Sequence, residues 1–153
     1  MTYHSARRQF LGIAGGTLLT PFIQVKPLAA ASSKLESLVF EVTGGAPIQN
    51  TGVILELPPV AANGNSVALK VAVASPMTED DYVQSIHLFA EQNPRPVVAR
   101  FFLNPRSGRA EIDTRIRLAA TQNVVALAAL SDGSYRSAGA HVVVTVAACV
   151  DGS

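Results

Sequence analysis

The run VALKVAVAS, residues 67–75, decides the fold class of this chain. Its larger apolar side chains, Val67, Leu69, Val71 and Val73, alternate with alanine and lysine. A period of two is typical of a β-strand with one face buried and the other turned to solvent. The run therefore predicts a strand in a two-layered β structure.

Similar short runs continue on both sides, and no stretch shows a convincing helical period. Turn clusters rich in Gly, Pro, Asn and Asp separate them, at 58–66, 93–96, 104–108 and 131–139. Further strands are predicted over 37–43, 51–58, 82–91, 97–103, 110–120, 123–130 and 140–147. About seven or eight strands at this spacing predict an all-β fold, an immunoglobulin-like antiparallel β-sandwich.

The first residues are predicted to be an export signal rather than part of the fold. Arg7 and Arg8 precede the short apolar stretch FLGIAGGTLL, and small residues at 29–31 suit a signal peptidase. The paired arginines favour a twin-arginine signal, with an ordinary secretory signal as the alternative. We therefore predict a signal over 1–31, a sandwich domain over 32–146 and a C-terminal arm over 147–153, in a periplasmic protein.

The charge balance argues against a nucleic-acid partner. Removal of the signal takes away three of the 12 basic residues and none of the 11 acidic ones, which leaves a net charge of about −2. No basic stripe remains to follow a phosphate backbone. No second apolar run reaches membrane-spanning length, so we expect no membrane partner after signal removal.

Constellations that could carry enzyme chemistry are scarce. Metal-ligand spacings such as HExxH or CxxC do not occur, so we predict no metal, no cofactor and no catalytic residues. His87 is predicted to be a surface residue of a strand. The acidic cluster TEDD, 78–81, fits a solvated turn better than a calcium loop.

Four arginines lie close together in sequence, at positions 106, 109, 115 and 117. They could attract an anion or an acidic partner. They could equally be the solvated faces of strands, and the sequence leaves both interpretations open.

Cys149 is the one cysteine of the chain. The last strand is predicted to run to about Val146, so the thiol stands about 10 Å beyond the sandwich edge. No nearby base would lower its pKa, and Asp151 would raise it. A thiol on an arm suits a carrier on which partner enzymes act, whereas a buried structural cysteine or an intermolecular disulfide is the alternative.

Three long stretches, 55–101, 107–134 and 141–149, resemble the SoxY family of the bacterial thiosulfate-oxidising Sox system. The resemblance implies an immunoglobulin-like sulfur carrier that is not itself an enzyme and that forms a heterodimer with SoxZ. It implies covalent attachment of sulfur intermediates at Cys149. The haem enzyme SoxAX would join thiosulfate to the thiol, SoxB would release sulfate, and a sulfur dehydrogenase would act where present.

The C-terminal sequence departs from the usual Gly-Gly-Cys-Gly-Gly ending of that family. Glycine gives an arm conformational freedom that alanine and β-branched valine lack. A SoxY-like paralogue that binds partners without carrying sulfur is therefore the alternative function. The predicted carrier arm around Cys149 consists of Ala147, Ala148, Val150, Asp151 and Gly152.

Overall fold

Two β-sheets and one short helix make up the part of the chain that the computed structural model describes, residues 33–148. The predicted signal over 1–31 lies outside these residues, as does the chain from 149 onwards. A 3₁₀ turn, Pro105–Ser107, follows the sixth strand. The elements in chain order are α1 (Ser33–Thr43), β1 (Ile48–Gln49), β2 (Val53–Glu56), β3 (Val60–Ala61), β4 (Val67–Val73), β5 (Val83–Ala90), β6 (Val97–Phe102), β7 (Glu111–Ile116), β8 (Gln122–Leu130) and β9 (Tyr135–Val144).

The two sheets form the predicted sandwich. The larger sheet has the order β1-β9-β8-β5-β6, with β3 also paired to β9, and the smaller sheet has the order β2-β4-β7. The long strands pair antiparallel, whereas the two-residue strands β1 and β3 run parallel to β9. Strands β6 and β7 are consequently the edge strands at one open side of the sandwich.

The core lies between the sheets, where the alternating patterns predicted it. Val67, Leu69, Val71 and Val73 of β4 are all buried and pack against β5, β8 and β9. Burial of apolar area at about 25 cal/mol per Å² is the main force that holds the two layers together. The predicted strand over 67–75 is thus confirmed.

The predicted strand over 37–43 is wrong, because these residues belong to helix α1. The β-branched and aromatic letters SLVFEVT favoured a strand. However, Leu35, Leu38, Val39 and Val42 recur at helical spacing, and they pack on Phe89 and Leu127 of the larger sheet. The helix begins before the run that was interpreted as a strand, so its period shows only when Leu35 is included.

Three further details differ from the sequence prediction. The turn predicted over 58–66 contains β3, and β9 begins at Tyr135 inside the turn predicted over 131–139. Strand β9 ends at Val144, two residues earlier than expected. Within residues 33–148 no helix is long and apolar enough to cross a membrane.

Candidate functional site: the base of the C-terminal segment

The segment that follows β9 is tied to the fold along its backbone. The amide of Val143 donates to the carbonyl of Pro59 at 2.9 Å, and the amide of Thr145 donates to that of Ala61 at 2.9 Å. Val143 lies within β9, whereas the Thr145 bond extends the parallel β3–β9 pairing one residue beyond the end of that strand. The chain therefore does not leave the sandwich where the last strand ends.

Gly64, Leu118 and Ala148 continue this attachment. The amide of Gly64 donates to the carbonyl of Val146 at 2.7 Å, and its own carbonyl accepts from Leu118 at 2.9 Å. The carbonyl of Leu118 accepts from the amide of Ala148 at 3.0 Å. Three separate loops of the chain thus meet at the residue that precedes Cys149.

The backbone around Gly64 leaves no room for a side chain at this position. A Cβ atom there would lie 2.3 Å from the Leu118 carbonyl oxygen, 2.9 Å from the Ala148 nitrogen and 3.0 Å from Val144 Cγ1. In the sequence, the Asn-Gly pair at 63–64 is only a turn signal. The close approach of three backbone segments cannot be seen in the sequence, because their partners are distant along the chain.

The two described residues of the predicted arm differ in exposure. Ala147 is exposed, whereas Ala148 is only 6% exposed. Val146 is 58% exposed, although the last strand was predicted to run to about this residue. The reason is that the strand ends at Val144 and the chain then bends.

The remaining predicted site residues lie outside the described residues. These are Cys149, Val150, Asp151 and Gly152 of the arm, and Arg7 and Arg8 of the signal. Attachment through Ala148 leaves the position of the thiol directly after the last anchored residue. The backbone is therefore held two residues beyond Val146, the predicted end of the last strand.

The four arginines singled out in the sequence separate into two pairs. Arg115 and Arg117 line an open cleft of about 550 Å³ together with Arg95. The cleft lies between edge strands β6 and β7. Arg106 and Arg109 do not line it; Arg106 lies in the 3₁₀ turn beyond the far end of β6.

A buried amide network fixes the loop that closes one end of this cleft. Asn93 is 7% exposed, and its Nδ2 donates to the carbonyl of Arg117 at 2.8 Å. Its Oδ1 accepts from the amide of Ala119 and from Nε2 of Gln122, each at 2.9 Å. Because buried polar groups are costly to leave unpaired, this network holds the end of β7 in one position.

His87 is buried, not at the surface as predicted. It is 8% exposed, on the sheet face opposite Ile86 and Leu88, and its Nε2 lies 3.0 Å from Ser85 Oγ. Its Nδ1 is buried without a hydrogen-bond partner among the described residues. Burial, with a smaller contribution from the nearby Arg100 charge, lowers the pKa of His87.

The acidic cluster over 78–81 forms the predicted solvated turn. The amide of Asp81 donates to Thr78 Oγ1 at 3.1 Å, and Glu79, Asp80 and Asp81 are exposed. Over residues 33–148, no three side chains of His, Cys, Asp or Glu are grouped so that they could hold a metal ion.

The fold and the hydrogen-bonded segment after β9 define a class of protein. It is an immunoglobulin-like sandwich whose C-terminal segment is held by backbone hydrogen bonds as far as the residue before its one cysteine. Comparison with known proteins agrees with that class. The profile of the sulfur oxidation protein SoxY matches residues 40–149. The chain belongs to the SoxY family, whose members are sulfur carriers of sulfur oxidation.

Among solved structures, the chain is similar to the sulfur carrier protein SoxY from Chlorobium limicola f thiosulfatophilum. The identity is 32% and the TM-score 0.63, with 76% of this chain and 100% of that chain covered. It also resembles a superoxide reductase (neelaredoxin) from Ignicoccus hospitalis at 15% identity and a TM-score of 0.55, over 61% of this chain and 80% of that one. The second likeness concerns the fold alone. Curated protein sequences gave no significant match.

Proposed function

We propose that this protein is a periplasmic covalent sulfur carrier of thiosulfate oxidation, with Cys149 as the attachment residue. One observation carries the proposal: backbone hydrogen bonds hold the C-terminal segment as far as Ala148 and bring the chain to a fixed exit point next to Cys149. A carrier needs a thiol that is attached to a rigid body yet accessible to several enzymes. Membership of the SoxY family supports the same role.

The proposed chemistry takes place on the thiol, and partner enzymes supply the catalysis. A haem c enzyme of the SoxAX type accepts two electrons as an S–S bond forms between Cys149 and thiosulfate, and the thiol proton is released. The product is a cysteine thiosulfonate with one negative charge. A SoxB-type hydrolase then adds water to the outer sulfur, sulfate and a proton leave, and the cysteine keeps a persulfide.

The proposed location and partners follow from the same family resemblance. Residues 1–31 direct export of the folded protein to the periplasm through a twin-arginine-type signal. SoxZ forms a heterodimer with the sandwich and travels with it, and a sulfur dehydrogenase oxidises the persulfide where one is present. Val60, Val143 and Val146 leave apolar surface exposed beside the exit point, which suits docking of a partner.

A second function is favoured by the buried methyl group of Ala148. Where the family usually has glycine, this chain has a side chain that packs into the fold and limits the arm. A paralogue that binds partners without carrying sulfur would tolerate such a restriction. The two functions differ in what they require of Cys149.

Complementation separates them. A thiosulfate-oxidising host that lacks its own carrier is given either the wild-type chain or the Cys149→Ser variant. The carrier function predicts growth on thiosulfate only with the wild-type chain, at equal periplasmic levels of folded protein. Equal growth with both chains would favour the scaffold function and contradict the carrier.

A further inference from the structure

We propose that the arginine-lined cleft between β6 and β7 binds the sulfonate end of the thiosulfonate carried on Cys149. This inference rests on the proposed function, because it assigns a resting place to the adduct of that same thiol. The cleft, which is formed by Arg95, Arg115 and Arg117 above Val97 and Val98, is called the sulfonate cleft below.

The chemistry of the sulfonate cleft fits a sulfur oxyanion. Three of its lining side chains are guanidinium groups, and none of the described residues that line it is acidic. Guanidinium groups present paired N–H donors that match the oxygens of an oxyanion, and such charge-assisted hydrogen bonds are stronger than neutral ones. Val97 and Val98, which also line the cleft, suit the two sulfur atoms that precede the sulfonate.

Two short paths, each of which includes one or more hydrogen bonds, connect the sulfonate cleft to the exit point of the arm. Arg117 precedes Leu118, whose carbonyl holds the amide of Ala148 at 3.0 Å. Neighbouring Cα atoms are about 3.8 Å apart and hydrogen-bonded cross-strand pairs about 5.5 Å, so Arg117 lies within about 9 Å of Ala148. An extended arginine and a cysteine that bears a thiosulfonate together bridge that distance.

Arg115 provides the second path. Its guanidinium Nη1 donates to Ser66 Oγ at 3.2 Å, and Ser66 lies two residues from Gly64. The loop that clamps the C-terminal segment therefore also orients an arginine of the sulfonate cleft. The Asn93 network holds Arg117 by its carbonyl, so the cleft is organised before an anion arrives.

Docking of the sulfonate would have two consequences for the carrier. It would offset the repulsion between the adduct and Asp151, which stands two residues after the thiol. It would also give the anion one orientation on the surface, so that a partner enzyme must draw it out of the cleft to act on it. Because the arginines are solvent-exposed, the effect is modest and weakens with salt.

Chemical loading tests the inference without any partner enzyme. Tetrathionate reacts with a thiol to form the thiosulfonate, with thiosulfate and a proton as the leaving products. The mature chain is loaded in this way, and intact mass spectrometry confirms that Cys149 carries the adduct. NMR then follows the arginine Nε–H signals and the backbone amides of 93–98 and 115–119, at low and high salt.

Two variants are compared with the wild type. The double variant carries both Arg115→Gln and Arg117→Gln, and the control carries Arg106→Gln, which lies outside the cleft. Loading should shift the signals of the sulfonate cleft in the wild type and the control, but not in the double variant. A neutral phosphine attacks the Cys149 sulfur and thiosulfate leaves; water then converts the phosphorus adduct to phosphine oxide, which frees the thiol and a proton. This reaction should be about three- to tenfold faster on the double variant. A phosphine is used because a charged reductant would itself be attracted by the arginines.

Two results would overturn the inference while leaving the carrier function intact. One is full loading of Cys149 with signal changes confined to the tail. The other is a shift of the cleft signals by free thiosulfate added to the Cys149→Ser variant but not by the covalent adduct. Failure of the carrier function is a separate outcome, since it appears as a thiosulfonate that partner enzymes neither form nor consume.

Discussion

Replacement of Gly64 by alanine is the most specific perturbation of the arm base. The added Cβ would lie 2.3 Å from the Leu118 carbonyl oxygen, well inside van der Waals contact, and 2.9 Å from the Ala148 nitrogen. The obstacle is backbone on both sides, so a rotation of a side chain cannot relieve it. We expect the loop that carries Gly64, the backbone at Leu118 and the segment from Val146 to Ala148 to separate from one another.

The magnitude follows from the hydrogen bonds at stake. Detachment breaks the Gly64–Val146, Leu118–Gly64 and Ala148–Leu118 bonds, which measure 2.7, 2.9 and 3.0 Å. At about 1 kcal/mol for each net hydrogen bond, the free energy of unfolding should fall by about 2–3 kcal/mol. Most of this loss is local, because the core of β4, β5 and β8 is untouched.

Hydrogen exchange of the Ala148 amide measures the local effect. In the Gly64→Ala variant this amide should exchange much faster than in the wild type. The exchange rates of core amides in β5 and β8 should change only as far as the global free energy of unfolding changes. Gly133→Ala is the control, since Gly133 has φ +80° but nothing within 4 Å of the added Cβ. It should lower stability through backbone strain and leave the relative protection of Ala148 unchanged. Wild-type protection of Ala148 in the Gly64→Ala variant would refute the account of the anchor.

Three further predictions concern the arm, the cleft and pH. Ala148→Gly should lower the free energy of unfolding by about 1 kcal/mol, because it removes a buried methyl group and gives the unfolded chain more conformational freedom. Ala147 is exposed, so Ala147→Gly should lower it by less. Urea unfolding of both variants measures the difference. Asn93→Ala should cost about 2–4 kcal/mol by the same assay, because it leaves the Gln122 amide and two backbone groups without their partner. The pKa of His87 is lowered in the folded state from the ordinary value of 6.5. Around and below pH 6.5 the unfolded chain therefore binds more protons at this residue than the folded chain does. Stability should therefore fall as pH drops from 7.5 through 6.5 towards 5.5, with a shallower fall in the His87→Gln variant; an equal slope in both proteins would contradict this assignment.

Much of the fold could be predicted from local patterns. The alternation over 67–75 indicated both the strand and its buried face, and Val67, Leu69, Val71 and Val73 are buried as it predicts. Such patterns succeed because successive side chains of a strand point to opposite faces and one face must leave water. The turn over 78–81 was also predictable, since its hydrogen bonds join residues only three positions apart.

The errors share a physical cause, which is that tertiary packing decided the outcome. The letters SLVFEVT favour a strand by propensity, yet they form part of α1 because Leu35, Leu38 and Val42 complete an apolar face against Phe89. His87 was predicted at the surface from strand alternation, but the outer face of the larger sheet is also covered there. Propensity is a weak indicator wherever another layer packs on the element.

The arm base and the cleft depend on contacts between distant parts of the chain. Gly64, Leu118 and Ala148 meet only after the sandwich has formed, so no spacing in the sequence reveals them. Arg115 and Arg117 could be noticed as charged neighbours, but the third guanidinium, from Arg95, comes from the loop that precedes the opposite edge strand, β6. The sequence therefore suffices to propose Cys149 as the attachment residue, whereas the surface around Ala148 emerges only from the fold.

Intact mass spectrometry of the reconstituted system tests the central claim most directly. The mature chain with SoxZ is incubated with thiosulfate and the haem c oxidase, and the Cys149→Ser variant is treated in parallel. The account predicts a thiosulfonate adduct on the wild-type chain alone, located at Cys149 by peptide fragmentation and converted to a persulfide when the sulfate-releasing hydrolase is added. A wild-type chain that stays unmodified while the oxidase loads a known SoxY from the same preparation would contradict it.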